Sequence, residues 1–226
     1  MKRWDTLPDQ LKNDAVKPYY DVLCKKAFSL FLKRLFDIVV SFIMLVIISP
    51  FFLIFAIAIK LDSKGPVFYR QVRVTRYGKE FRIHKFRSMV VDADRGSQVT
   101  VDGDARVTRV GRFIRKCRLD EISQLIDILE GNMSFVGTRP EVPKYVACYT
   151  EEMKATLLMR AGVTSTASIC YKDEASLLTD AGNADETYVQ KILPEKMKYN
   201  LDDIKNYSFL KDIGTMFRTV KAVLKG

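Results

Sequence analysis

The chain has 226 residues, with 37 Lys+Arg against 27 Asp+Glu, a formal net charge of +10 and 48% hydrophobic residues. That length suits one soluble domain plus a membrane element and leaves too little for two full domains, and the charge points to an anionic partner: lipid headgroups, a nucleotide or nucleic acid. Four scattered cysteines (Cys24, Cys117, Cys148, Cys170) contain no CxxC pair, which argues against a zinc site or a disulfide framework and for a reduced, cytosolic setting.

Residues 1–20 are polar, contain Pro8 and Pro18, and read as a loosely held arm. From about Asp21 a helix is expected to run through Lys33 and Arg34 into the apolar stretch Ile38 to Ile59, IVVSFIMLVIISPFFLIFAIAI. Its only polar side chains are Ser41 and Ser49. As a continuous helix its roughly 22 residues would reach about 33 Å, enough for a hydrocarbon core of ~30 Å. It starts too far from Met1 and is too long for a signal-peptide core, and no small-residue cleavage site follows it. Pro50 stands near its midpoint and cannot donate to the carbonyl of Val46, which the Ser49 hydroxyl is placed to satisfy. Basic residues flank both sides: Lys25, Lys26, Lys33 and Arg34 before, Lys60, Lys64, Arg70, Arg73 and Arg76 after. A spanning helix concentrates lysine and arginine on one side, so the double flank favours a helical hairpin that returns to the cytoplasm; a kinked spanning helix stays open. Asp37, at the apolar boundary, is expected to pair with Lys33 or Arg34 or to cap the helix.

Asp62-Ser63-Lys64-Gly65-Pro66 marks a turn. VFYRQVRV and EFRIHKFRSM then predict a β-hairpin joined by Arg76-Tyr77-Gly78-Lys79, with Val67, Tyr69, Phe81 and Ile83 suited to packing. His84 is the only histidine and has no HxxxH partner, which makes a metal role for it improbable on chemistry alone. An acidic, glycine-containing loop is expected over 92–104. A dense cationic run follows: Arg106, Arg109, Arg112, Arg115, Lys116 and Arg118. Asp120 and Glu121 come next, then Ile122, Leu125, Ile126 and Leu129 at helical spacing, ending at Gly131. Two acids in a first turn suit an amphipathic helix with no further purpose. Among so many guanidiniums they would also stay ionised, which is the equipment of phosphoryl transfer. Gly137-Thr138-Arg139-Pro140-Glu141 suits a nucleotide or pyrophosphate clamp. Beyond Asp173 the pattern is mostly helical. Pro194 opens a helix with Met197, Leu201, Ile204 and Tyr207, and Phe209 to Leu224 forms a basic amphipathic helix suited to packing or to an anionic membrane surface.

These pieces in this order resemble the bacterial sugar transferases, the monotopic polyprenyl-phosphate phosphoglycosyl transferases. The matching motifs are KRLFD, Ser49-Pro50, GPVFYRQVRV, KFRSM, VTRVGRFIRK, LDEISQLIDILEGNMSFVGTRPE and a diverged GVTSTASI, together covering about Lys33 to Tyr171. The resemblance is to the small form, without a multi-span N-terminal domain. It implies transfer of a sugar-1-phosphate from a UDP-sugar to undecaprenyl phosphate through a covalent enzyme intermediate, releasing UMP. It also implies Mg²⁺, with Asp120 as nucleophile and metal ligand and Glu121 as the partner carboxylate. Lys85, Arg87, Arg112, Arg115, Arg139, Pro140 and Glu141 are implied to bind substrate, while Ser49 and Pro50 shape the membrane element. Two departures stand out: Ser123-Gln124 where many members carry proline, and Ala161-Gly162-Val163-Thr164-Ser165 where PGITG is frequent. The second leaves the sugar open, not the reaction class.

The expectation is therefore an α/β, mainly helical monotopic membrane protein. It has an arm and entry helix over 1–32, a re-entrant hairpin over 33–61, and a cytoplasmic domain over 62–226 with a β-hairpin and surface amphipathic helices. It would work on the cytoplasmic face of a bacterial inner membrane in assembly of lipopolysaccharide, capsule or exopolysaccharide. Membrane lipid is a partner, nucleic acid is not, and a homodimer is compatible with the sequence. The rival readings are a non-enzymatic adaptor binding anionic lipid and a nucleic-acid binder built on Tyr69, Phe81, Phe86 and Phe113 among basic residues.

Overall fold

The computed structural model describes residues 1–91, 106–171 and 184–224. The acidic loop expected over 92–104, the stretch from Asp173 to residue 183, and Lys225 lie outside the described residues. The long helices are α1 (Lys17–Lys25), α2 (Ala27–Asp62), α3 (Arg109–Lys116), α8 (Leu193–Lys205) and α9 (Phe209–Leu224). Shorter ones are α4 (Gln124–Glu130), α5 (Pro143–Val146), α6 (Thr166–Cys170) and α7 (Ala184–Thr187). The expected hairpin is present as β1 (Phe68–Val74) against β2 (Glu80–Phe86), antiparallel, with Tyr69 opposite Lys85 and Arg70 opposite His84.

A second sheet has no counterpart in the sequence reading. β3 (Met133–Val136) pairs in parallel with β4 (Ala161–Thr164), so the diverged AGVTS block is a buried strand. Both strands are four residues long and mostly buried, too short for alternation to appear. Beyond β3, Gly137 N–H donates to the Thr164 carbonyl and Gly162 N–H to the Thr138 carbonyl, at 3.0 and 2.9 Å. A Cβ on Gly162 would meet Gly137 N at 2.2 Å, so only glycine permits this approach.

The N-terminal segment is not a loose arm. Leu7, Leu11, Val16, Tyr19 and Leu23 are buried in one core with Leu158, Leu193, Met197 and Ile204. They sit in 3₁₀ turns and a short helix, so their spacing follows no single period. α1 and α2 are separate helices, broken at Lys26.

The apolar stretch lies within α2, one 36-residue helix in which Pro50 is internal. Ser49 Oγ donates to the Val46 carbonyl at 2.8 Å, satisfying the acceptor that proline leaves free. No loop separates two helices at Ser49-Pro50: the helix runs on through the proline. Along one face Phe36, Val40, Met44, Ile48, Phe52, Phe55 and Ile59 pack on the domain at i, i+3 and i+4 spacing. The opposite face exposes Phe31, Phe42, Ile47, Phe51 and Ile54. Only 6% of its most apolar 18-residue window is buried, so α2 is not a core helix.

Both ends of α2 are tied to the same folded body. Near its start, Lys33 Nζ donates to the Val136 carbonyl at 2.8 Å and pairs with Asp212. Arg34 donates to the carbonyls of Ile128 and Leu129 at 2.7 and 3.1 Å, and Asp37 Oδ1 accepts the Phe135 N–H at 3.2 Å. These charges serve the docking of α2 on α4, β3 and α9, where the sequence placed them near headgroups. At the far end Asp62 Oδ2 accepts the Val110 N–H at 2.8 Å. There Arg87 donates to the carbonyls of Ile59, Ser63 and Lys64 at 3.3, 2.6 and 3.1 Å.

Candidate active site

Asp120 and Glu121 lie in a single 3₁₀ turn, Leu119–Glu121, between α3 and α4. The sequence placed them in the first turn of the following helix; α4 starts three residues later. The direction changes at Arg118, whose φ of +51° is the left-handed region, a strained setting for a side chain with a Cβ. The turn packs against β2, which supplies Lys85 from near its C-terminal end.

Lys85 Nζ stands 3.7 Å from Asp120 Oδ2 and 3.9 Å from Glu121 Oε1. Glu121 also takes a direct hydrogen-bonded ion pair from Arg139, which the turn after β3 brings in. Burial by itself would raise the Glu121 carboxyl, but the Arg139 guanidinium and the Lys85 ammonium outweigh it and hold the group down to about 2. Lys85 is pushed below the usual lysine range, first by burial and then by Arg139, with both acids opposing. Asp120 therefore faces a lysine, while its neighbour is committed to an arginine.

The depressed Glu121 value has a measurable consequence. A carboxyl lowered on folding contributes stability that is present above its unfolded value of about 4.3 and lost as pH falls through its folded value. Unfolding midpoints measured from pH 5 to pH 2 should decline less steeply for Glu121→Gln than for the parent protein; parallel curves would show that Glu121 is not held down.

Of the other residues expected at the site, two belong elsewhere. Arg87 is buried and spends its guanidinium on the C-terminal end of α2, so its role there is structural. Glu141 is buried and accepts the Tyr188 hydroxyl, beside Lys196, which anchors the Arg139 loop to α8. Pro140 offers its carbonyl to Arg73 Nη1 at 3.0 Å. Arg112 and Arg115 project from α3 near the dyad turn, exposed and half-buried; the direct ion pairs described for the dyad come instead from Lys85 and Arg139. Ser49 and Pro50 lie on the exposed side of α2.

Arg73 was not singled out as a ligand. Its Nε and Nη2 donate to Gln71 Oε1 at 3.1 and 2.6 Å, on the same hairpin face as Lys85. Alternation along Tyr69, Gln71 and Arg73 carried that signal.

His84, Asp127 and Glu130 bring potential ligand atoms within 4.8 Å of one another. Both imidazole nitrogens already face partners, Nδ1 the Asp127 carboxylate and Nε2 the Arg70 guanidinium. A guanidinium against the outer nitrogen suits a hydrogen-bonded network and not a cation site.

With this geometry in view, comparison with known proteins is decisive. A family model described as bacterial sugar transferase matches residues 28–226. The chain belongs to the bacterial sugar transferase family. A relative from Aeromonas hydrophila, named UDP-N-acetylgalactosamine-undecaprenyl-phosphate N-acetylgalactosaminephosphotransferase, is 36% identical over 200 residues, covering 87% of this sugar transferase chain and 44% of the relative. One from Klebsiella pneumoniae, named UDP-glucose:undecaprenyl-phosphate glucose-1-phosphate transferase, is 37% identical over 193 residues, 83% of this chain and 39% of its own length. One from Bacillus subtilis, named putative undecaprenyl-phosphate N-acetylgalactosaminyl 1-phosphate transferase, is 42% identical over 130 residues, 57% of this chain and 73% of its own. The chain thus spans less than half the length of the first two.

Proposed function

We propose that this sugar transferase moves a sugar-1-phosphate from a UDP-sugar to undecaprenyl phosphate, releasing UMP, through a phosphosugar ester of Asp120. The observation that carries the reading is a carboxylate set beside Lys85 and the Glu121–Arg139 pair, on a domain docked along an exposed apolar helix. The relatives' names supply the donor and acceptor classes.

In the first step an Asp120 oxygen attacks the sugar-bearing phosphorus, forming a P–O bond as the bond to UMP breaks and its electron pair leaves with UMP. In the second, an oxygen of undecaprenyl phosphate attacks the same phosphorus and Asp120 departs as a free carboxylate. Lys85 and Arg139 bind and neutralise the diphosphate. Glu121, held down to about 2, is a poor proton acceptor at neutral pH and acts by orienting Arg139. Mg²⁺ held by Asp120 would supply charge neutralisation on phosphate oxygens.

The membrane placement follows from α2. Its two ends are fixed to one polar domain, so spanning would draw that domain into hydrocarbon, whereas lying at one leaflet leaves the apolar face in lipid. We place the protein on the cytoplasmic face of a bacterial plasma membrane, where nucleotide sugars are available. Tags at both chain ends should be reachable from the cytoplasm only; one end found outside would overturn the placement. A lipid-binding adaptor leaves the dyad and its cations without a role.

The test is UMP release by detergent-solubilised protein with undecaprenyl phosphate, Mg²⁺ and a panel of UDP-sugars. Release with one donor, lost on chelation, is expected; no release with any donor would overturn the reading.

A further inference from the structure

Three hydrogen bonds converge on His84 from the α4 region. Asp127 Oδ2 accepts the His84 backbone N–H and Oδ1 accepts from ring Nδ1, each at 2.9 Å. The Ser123 hydroxyl lies 2.9 Å from the His84 carbonyl and 3.1 Å from the Asp120 carbonyl, and shares its one proton between them. Ser123 and Asp127 are four residues apart and share one helical face. His84, Ser123 and Asp127 are 6%, 0% and 0% exposed, so none is placed to meet substrate.

His84 N–H and C=O point away from β1, on the open edge of a two-stranded sheet. Ser123 and Asp127 occupy the place a third strand would take. The tautomer is fixed from both sides: Arg70 only donates, so Nε2 accepts and Nδ1 carries the proton given to Asp127. The next residue on β2 is Lys85, and the second carbonyl under the Ser123 hydroxyl belongs to Asp120. One buried oxygen therefore connects the backbones of the two sides of the site.

Resting on the reading of Asp120 as nucleophile, we infer that Ser123 and Asp127 are positioning residues that set the register of β2 against the dyad turn and so hold Lys85 over Asp120. The sensitivity is large, because displacements of about 1 Å between reacting groups cost up to roughly 100-fold in rate.

The test uses the full chain with the UDP-sugar it turns over, reading kcat, donor KM and the unfolding temperature together. Ser123→Ala removes one hydroxyl and should lower kcat about 10-fold or more, whatever the change in donor KM, while Ser123→Thr, which keeps the hydroxyl, should restore it. Asp127→Asn leaves one acceptor oxygen for two donors; with that oxygen on the His84 backbone N–H, the amide N–H meets Nδ1 and the ring proton must move to Nε2, against Arg70. Its kcat should fall, and adding Arg70→Gln, whose amide oxygen accepts from Nε2–H, should recover part of the loss. A role confined to stability would lower the unfolding temperature, leave kcat intact and give no such recovery. Parent-like kcat in both Ser123→Ala and Asp127→Asn overturns the inference alone; absence of turnover in the parent protein overturns the transferase reading and the inference with it.

Discussion

Asp120→Asn should reduce UMP release by at least about 1,000-fold while leaving the fold and the unfolding temperature close to those of the parent. The amide is nearly isosteric but cannot attack phosphorus and give a stable ester, and it removes the charge that faces Lys85 at 3.7 Å. The acyl-phosphate route makes a further demand. Denatured parent protein quenched during turnover with a donor labelled in the sugar-bearing phosphate should carry label on the peptide containing Asp120, and the variant should carry none. Retained turnover in Asp120→Asn would assign the nucleophile to another group. Label on a different peptide would do the same. Glu121→Gln supplies a contrast, since the Arg139 contact survives in weaker form and the nucleophile is untouched, so its loss should be the smaller of the two.

Lys33→Ala should be among the most destabilising single substitutions, at about 3 kcal/mol or more. Lys33 is 7% exposed, donates to the Val136 carbonyl at 2.8 Å and neutralises Asp212. Burial raises the Asp212 carboxyl and Lys33 opposes that rise; without the lysine, Asp212 is left near Asp37 with no cation of its own. Unfolding of the detergent-solubilised variant, followed by circular dichroism, gives the loss. The cost comes from stranding a charge, so Lys33→Met combined with Asp212→Leu should recover most of it. A loss below about 1 kcal/mol would mean that the Lys33–Asp212 pair contributes little to holding α2 and α9 together.

What could be read in the chain divides along physical lines. The apolar run was legible from its length and lack of charge, and the hairpin and the helix Phe209–Leu224 because each follows one period over seven or more residues. The Ser49 hydroxyl capping the Val46 carbonyl was legible because it is a contact three residues apart. The N-terminal segment was misjudged because its buried residues follow no period and find their partners more than 100 residues away in α8. β3 and β4 escaped because four-residue buried strands carry no alternation.

The sequence by itself determined that this chain has a long uncharged apolar segment, a basic domain and an acidic dyad among cations, since composition and motif order are local properties. Only the tertiary structure decided which cations serve the dyad. Lys85 lies near the end of β2 and Arg87 just past it, two residues on, with the same charge, yet Arg87 holds the end of α2 while Lys85 faces Asp120. Packing of β2 between α2 and the dyad turn assigns each its partner, and that assignment depends on contacts far apart in the chain, which no local pattern encodes.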